Sequence, residues 1–218
     1  MHPPSWPALS SAQSQGLAED WKVFTYAALA VAVLVWALIA YAGLRFRRTA
    51  RNAEPRSQKE NNVALEISWT VAPLILVIAL FGFTYHIESD VEALAPNPDV
   101  QVAVDAFRWG WTFRYHGGPT VNGTADAPPE MVLPVGQTVA IALTSSDVAH
   151  AFWVPDMLFK RDAIPGRITS FDLTPTKVGT FLGRCGEFCG LQHAMMTFRV
   201  RVVSPADYRR WLAFEATQ

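Results

Sequence analysis

Charge is scarce in this chain. Asp, Glu, Lys and Arg make up 17% of its 218 residues, against about 25% in typical globular chains. The formal net charge is −1, so no basic excess points to a nucleic-acid partner. Cysteine is scarcer still, with only Cys185 and Cys189. No Cys-x-x-Cys-His occurs, so no c-type haem is attached to this chain. The first 20 residues carry no Lys or Arg. Without a basic n-region they are not read as a secretory signal but as a short flexible head.

The missing charge is explained by two apolar runs. Val23 to Leu44 gives 22 residues without a charge, and Ile67 to Tyr85 gives 19. Crossing a hydrocarbon core takes about 20, so both read as transmembrane helices rather than buried core helices. Pro73 inside the second run is tolerable there, because neighbours satisfy the freed carbonyl. The segment between them carries Arg45, Arg47, Arg48, Arg51, Arg56 and Lys59 against Glu54, Glu60 and Glu66. The second run is followed by Glu88, Asp90 and Glu92. The positive-inside rule then places the connecting loop in the cytoplasm and both ends outside. The expected layout is an extracytoplasmic head over 1–22, a helix over 23–44, a cytoplasmic loop over 45–66, a helix over 67–87 and an exported domain over 88–218.

From Val100 the period changes to two. Val100, Val102 and Val104 alternate with other residues, the signature of a half-buried strand. Further strand-like runs are Thr112–Tyr115, Met131–Leu133, Thr138–Leu143, Ala151–Val154, Ile168–Leu173, Thr180–Leu182 and Thr197–Val203, punctuated by Gly and Pro. Short strands at this spacing predict an all-β Greek-key sandwich or barrel. A C-terminal helix follows, with Ser204 as N-cap, Pro205 in its first turn and Asp207 behind it.

The chemistry is concentrated in Cys185-Gly186-Glu187-Phe188-Cys189-Gly190-Leu191-Gln192-His193-Ala194-Met195-Met196. Thiolate, imidazole and thioether in one loop form a soft ligand set of the kind that selects copper. With two thiolates rather than one, each sulfur can bridge two copper ions. His150 and His193 would end the pair, Met196 would complete one ion, and the Glu187 carbonyl could face the other. A Cys185–Cys189 disulfide is the plain alternative in an exported domain, but it leaves His150, His193 and Met196 without a role. Zinc suits two Cys and two His and leaves Met196 unused.

These motifs, in this order, resemble subunit II of the haem-copper cytochrome c oxidases over essentially the whole chain. The resemblance rests on the two-helix hairpin, Leu65-Glu66-Ile67-Ser68-Trp69-Thr70, Trp109-Gly110-Trp111-Thr112-Phe113, the Asp147-to-Pro155 segment, Asp162-Ala163-Ile164-Pro165-Gly166-Arg167 and the whole Cys185-to-Met196 loop. It implies a cupredoxin-like domain holding a dinuclear copper (CuA) centre, bridged by Cys185 and Cys189. His150 and His193 are then terminal ligands, Met196 is axial, and Glu187 ligates through its carbonyl. The Glu187 side chain is implied to help bind magnesium at the interface with subunit I. Trp109 matches the residue through which electrons arrive, and Glu66 the carboxylate at a proton-channel mouth. The implied setting is a proton-pumping oxidase in a bacterial plasma membrane or inner mitochondrial membrane, in contact with lipid, with subunits I and III and a cytochrome c donor as partners. Oxygen reduction would take place in subunit I. A membrane-tethered copper-binding or copper-delivery module is the alternative, but it would need neither the Trp-rich segment nor Glu66. The exported part carries 14 Asp/Glu against 11 Lys/Arg, and Arg108 and Arg114 flank the aromatic segment. That is not a strongly acidic face, so an apolar contact around Trp109 is expected to contribute to donor docking.

Overall fold

The computed structural model describes residues 9–47 and 61–215. Arg48, Arg51, Glu54, Arg56, Lys59 and Glu60 of the connecting segment lie outside them. The chain forms two compact units, one made of Glu19–Glu88 and the other of Ser89 onward together with the described residues up to Ala18.

The helical unit contains most of α1 (Ala12–Arg45) and α2 (Val63–Glu92), both long and apolar enough to cross a membrane. Both outrun the charge-free stretches that announced them. Charged residues such as Glu19, Lys22 and Glu66 are good helix formers and extend the ends, where Lys22 Nζ sits 2.6 Å from Glu19 Oε1. Asn62 starts α2: its Oδ1 accepts the Leu65 N–H at 3.2 Å, while the Glu66 carboxylate accepts the Asn62 N–H at 3.3 Å. That reciprocal arrangement satisfies two backbone donors at a helix start. Thr84 Oγ1 donates to Asp20 Oδ1 at 2.9 Å, tying α2 to α1.

The β unit has ten strands: β1 Val100–Phe107, β2 Gly110–Tyr115, β3 Thr120–Thr124, β4 Glu130–Pro134, β5 Val139–Ser145, β6 His150–Val154, β7 Phe159–Ala163, β8 Thr169–Leu173, β9 Gly179–Cys185 and β10 Thr197–Val203. They form two five-stranded sheets, ordered β3-β2-β1-β5-β8 and β4-β10-β9-β6-β7. Pairing is antiparallel except for β1 with β5 and β10 with β4. Two strands, β3 and β7, go beyond the sequence reading. Each lies at a sheet edge, where one side is unpaired and polar residues are tolerated, so neither shows an apolar alternation.

Alternate residues of both sheets meet in one buried cluster. Phe198 packs on Phe152, Trp111 and Phe113, with centroids 4.7, 5.0 and 5.6 Å away. Its cross-strand partner is Gly183, where an added Cβ would fall 2.1 Å from the Phe198 ring. The Tyr115 hydroxyl joins the sheets, accepting the Val132 N–H at 2.7 Å and donating to the Val132 carbonyl at 3.1 Å. Burial pushes its pKa far up, so it stays protonated. The closing helix, α3 (Pro205–Glu215), is capped as expected: Ser204 Oγ accepts the Asp207 N–H at 3.1 Å.

Residues 1–8 of the amino-terminal head lie outside the described residues, and the part from residue 9 on differs from expectation. Ser10, Ser11 and Ser14 are fully buried. Ser10 donates to the Asp156 carbonyl through its N–H (3.0 Å) and its Oγ (2.8 Å), and accepts the Thr176 N–H at 2.8 Å. Ser11 Oγ donates to the Met157 carbonyl at 3.2 Å, and the Ala12 N–H to the Thr174 carbonyl at 2.9 Å. The segment is a strap across the turn after β6 and the end of β8, not a loose tail. Serine side chains satisfy the local backbone groups there, which makes the burial tolerable.

Candidate metal centre

Three pieces of chain build the site. β6 opens with His150, β9 ends with Cys185, and the loop from Gly186 leads through a 3₁₀ turn, His193–Met195, into β10. β6 and β9 are paired with Phe152 opposite Cys185, which sets His150 beside the loop. The loop base is pinned where the Cys185 N–H donates to the Met196 carbonyl at 2.9 Å and the Gly186 N–H to the Ala151 carbonyl at 3.0 Å. Gly190 has φ +117° and lies under Trp109, whose Cζ2 would be 3.2 Å from an added Cβ. Backbone conformation and space both call for glycine there.

The donor atoms run in a chain. His150 Nδ1 is 3.7 Å from Cys185 Sγ, which is 3.8 Å from Cys189 Sγ. Cys189 Sγ is 3.6 Å from His193 Nδ1 and 3.7 Å from Met196 Sδ. The Glu187 carbonyl is 3.2 Å from Cys185 Sγ. Its carboxylate turns to Lys160 Nζ at 2.5 Å. Both thiols are free. Donors about 2.0–2.3 Å from a shared ion at tetrahedral angles lie about 3.5–3.8 Å apart, so these spacings fit metal ligation. His150 and Met196 are fully buried, and Cys185 and Cys189 are 5% and 6% exposed. All six residues expected from the sequence therefore come together.

The electrostatics distinguish the two thiols. Burial opposes ionisation of Cys185, but hydrogen bonds from His150, backbone groups and His193 outweigh it and lower its pKa. Burial raises the Cys189 pKa, and the charge of Cys185 adds to it. Burial and mutual charge oppose ionising both thiols at once, so a soft cation that binds both must displace protons.

Asp147 completes the site and was not singled out by sequence reasoning. Its Oδ1 is 2.9 Å from His150 Nε2, and its Oδ2 accepts the Arg108 N–H at 2.8 Å and Nε–H at 3.1 Å. Burial would raise its pKa, yet hydrogen bonds from His150, Val148 and Arg108 hold it well below the carboxylate range. The signal was present: a carboxylate three residues before a ligand histidine can take the outer ring nitrogen and point the inner one at the metal. Asp147→Asn is expected to lower metal affinity about 10–100-fold while leaving the fold intact, as competition with a copper chelator would measure. An unchanged affinity would reduce Asp147 to a surface role.

Trp109 lies beside the loop, its indole N–H donating to the Cys189 carbonyl at 3.2 Å. Glu66 belongs to the helical unit, where it serves the cap of α2.

Comparison with known proteins bears on these features. Residues 6–87 match the family described as cytochrome c oxidase subunit II, transmembrane domain, and residues 123–203 match cytochrome c oxidase subunit II, periplasmic domain, a copper-binding domain. A probable cytochrome c oxidase subunit 2 of Streptomyces avermitilis is 38% identical over 231 residues, covering 88% of this chain and 72% of that one. Its counterpart in Streptomyces coelicolor is 35% identical over 246 residues, covering 94% and 77%. The crystal structure of the periplasmic domain of subunit II of cytochrome oxidase (CoxB) of Bradyrhizobium japonicum superposes with a TM-score of 0.52 at 30% identity, covering 57% of this chain and 98% of that one. The β unit is accordingly cupredoxin-like.

Proposed function

Because the chain belongs to the cytochrome c oxidase subunit II family, we propose that it is the electron-accepting subunit of a proton-pumping oxidase in a bacterial plasma membrane. The observation that carries this reading is the donor order His150–Cys185–Cys189–His193/Met196, with neighbours 3.6–3.8 Å apart and nearly all of it buried.

Cys185 and Cys189 would bridge two coppers, with His150 and His193 terminal, Met196 weakly axial and the Glu187 carbonyl on the remaining position. Bound there, the pair supplies a one-electron couple whose charge change is spread over two ions. The chain's own contribution is to keep that couple stiff and dry. Paired strands on both sides hold the ligands in place. Asp147 fixes the His150 ring, and the aromatic cluster behind it excludes water. Trp109 gives a bonded route from the domain surface to the Cys189 carbonyl. Electrons from a c-type cytochrome would arrive there and leave towards the haem of subunit I, with subunit III completing the assembly.

Glu66 is assigned to the mouth of a proton channel, in addition to its capping role. The Glu187 carboxylate is assigned to a magnesium site shared with subunit I, for which it would have to leave Lys160. The exported domain, with residues 88–218, works on the outer face, and 45–66 on the cytoplasmic face.

Metal analysis and electron paramagnetic resonance on the purified full chain test the reading. About two coppers per chain, with one unpaired electron shared equally between them, is the expected result for this soft bridged set. A single localised copper, or zinc, overturns it.

A further inference from the structure

We infer that the outer face of the β3-β2-β1-β5-β8 sheet holds a binding site for an amphiphilic anion, a short apolar chain ending in a carboxylate or phosphate group. The site goes beyond the proposed electron-accepting role and does not depend on it. It lies towards the opposite end of the β1–β2 hairpin from Trp109.

The site is a trough of about 610 Å³ on the solvent side of β2, β1, β5 and β8, a volume usual for small-molecule sites. The strand register lays out its floor. Arg114, Ala103, Ala142 and Ser170 stand side by side in one row across the four strands, and Gln101, Ala140 and Asp172 in the next. The solvated face of such a sheet ordinarily carries polar side chains, and alanine is depleted in strands. Three alanines in two adjoining rows leave a flat floor of methyl groups with nothing rising from it. Leu94, Ala95 and Pro98 line one side of the trough without filling it. The Ala95 N–H donates to Asp172 Oδ2 at 2.5 Å, which anchors that segment at β8.

The two ends of the trough differ in charge. Arg114 and His116 line it at β2. Arg114 Nη2 is 3.6 Å from Asp105 Oδ2, too far for a hydrogen bond, and that oxygen already accepts from Ser146 Oγ at 2.6 Å. The guanidinium therefore keeps donors for an anion in the trough. At the β8 end stands Asp172, buried and bonded to the Ala95 backbone. Its charge directs an anionic head away from β8 and towards Arg114. Three strand spacings, about 14 Å, separate the ends, and the alanine methyls between them can cover an apolar chain. An inorganic anion would leave that floor bare, and a neutral hydrocarbon would leave the guanidinium unused.

The test uses the full chain in nanodiscs of zwitterionic phospholipid, with fluorine-labelled octanoate as probe and fluorine NMR as readout. Saturable binding is expected, with a Kd of about 0.1–1 mM for so small a ligand. Ala142→Leu raises a side chain from the floor and should weaken binding about tenfold or more. Arg114→Gln should weaken it about three- to tenfold. A Tm within about 3 °C of the unaltered chain identifies each variant as folded; Ser170→Leu, at an exposed position in the same row, replaces Ala142→Leu if that chain does not fold. Partition into the lipid does not saturate and is common to all variants, so differences between them report the trough. Unlabelled octanoate and octyl phosphate serve as competitors, and the stronger one identifies the head group that the site prefers. Binding that does not saturate, that inorganic phosphate displaces as well as octanoate does, or that either folded variant leaves unchanged overturns the site.

Discussion

Replacing Cys189 by serine is expected to abolish donor-supported oxygen consumption by the assembled oxidase. Cys189 Sγ is the common neighbour of three other donors, Cys185 at 3.8 Å, His193 at 3.6 Å and Met196 at 3.7 Å. Serine keeps the volume nearly unchanged, so the fold survives, but its hydroxyl neither ionises at neutral pH nor bridges soft ions. The loss should exceed the roughly 10–100-fold cost of removing an outer-shell partner such as Asp147. Copper content should fall from about two per chain to one or none. Metal analysis and oxygen-electrode assays on the same preparation read both. A Cys189→Ser chain that retains two coppers and its turnover would remove the sulfur bridge from the mechanism.

The second large effect is one of stability. Deleting residues 2–11 removes the two hydrogen bonds that Ser10 gives to Asp156, the one it accepts from Thr176, and the Ser11 bond to Met157. At about 1 kcal/mol net for each bond, the loss is about 4 kcal/mol. For a domain of this size that lowers Tm by about 10–20 °C. Thermal unfolding of the full chain in detergent, followed by tryptophan fluorescence, measures it. A shift of under about 3 °C would mean that water replaces the strap without cost. The conservative change Ser11→Ala, which removes the bond to the Met157 carbonyl and the one accepted from the Ser14 N–H and keeps the packing, should cost about 2 kcal/mol.

Much of this molecule could be read before it was folded. The two apolar runs, the strands carrying alternating residues, the capped final helix and the six residues that come together around the Cys185-to-Met196 loop were legible, because each depends on local pattern or on residue chemistry. What escaped depends on long-range context. The edge strands β3 and β7 pair on one side only, so Thr120-Val121-Asn122-Gly123-Thr124 and Phe159-Lys160-Arg161-Asp162-Ala163 carry no apolar period. The strap escaped because three serines near a chain start look like solvent-facing composition. Their burial is decided by Asp156, Met157, Thr174 and Thr176, more than 140 residues away. Asp147 was visible within its motif, but its task follows only once His150 is known to need its outer nitrogen held.

The buried serine strap also settles a question of parity. Ser10 and Ser11 are built into the same folded body as Asp156 and Thr174, so both must lie on one side of any membrane the chain crosses. The number of crossings between them is therefore even, whatever the charges of the intervening loop. It also imposes an order on folding: Ser10 and Ser11 are seated only once the turn after β6 and the end of β8 are in place. A chain inserted with Ser10 and Thr174 on opposite sides would leave that berth empty.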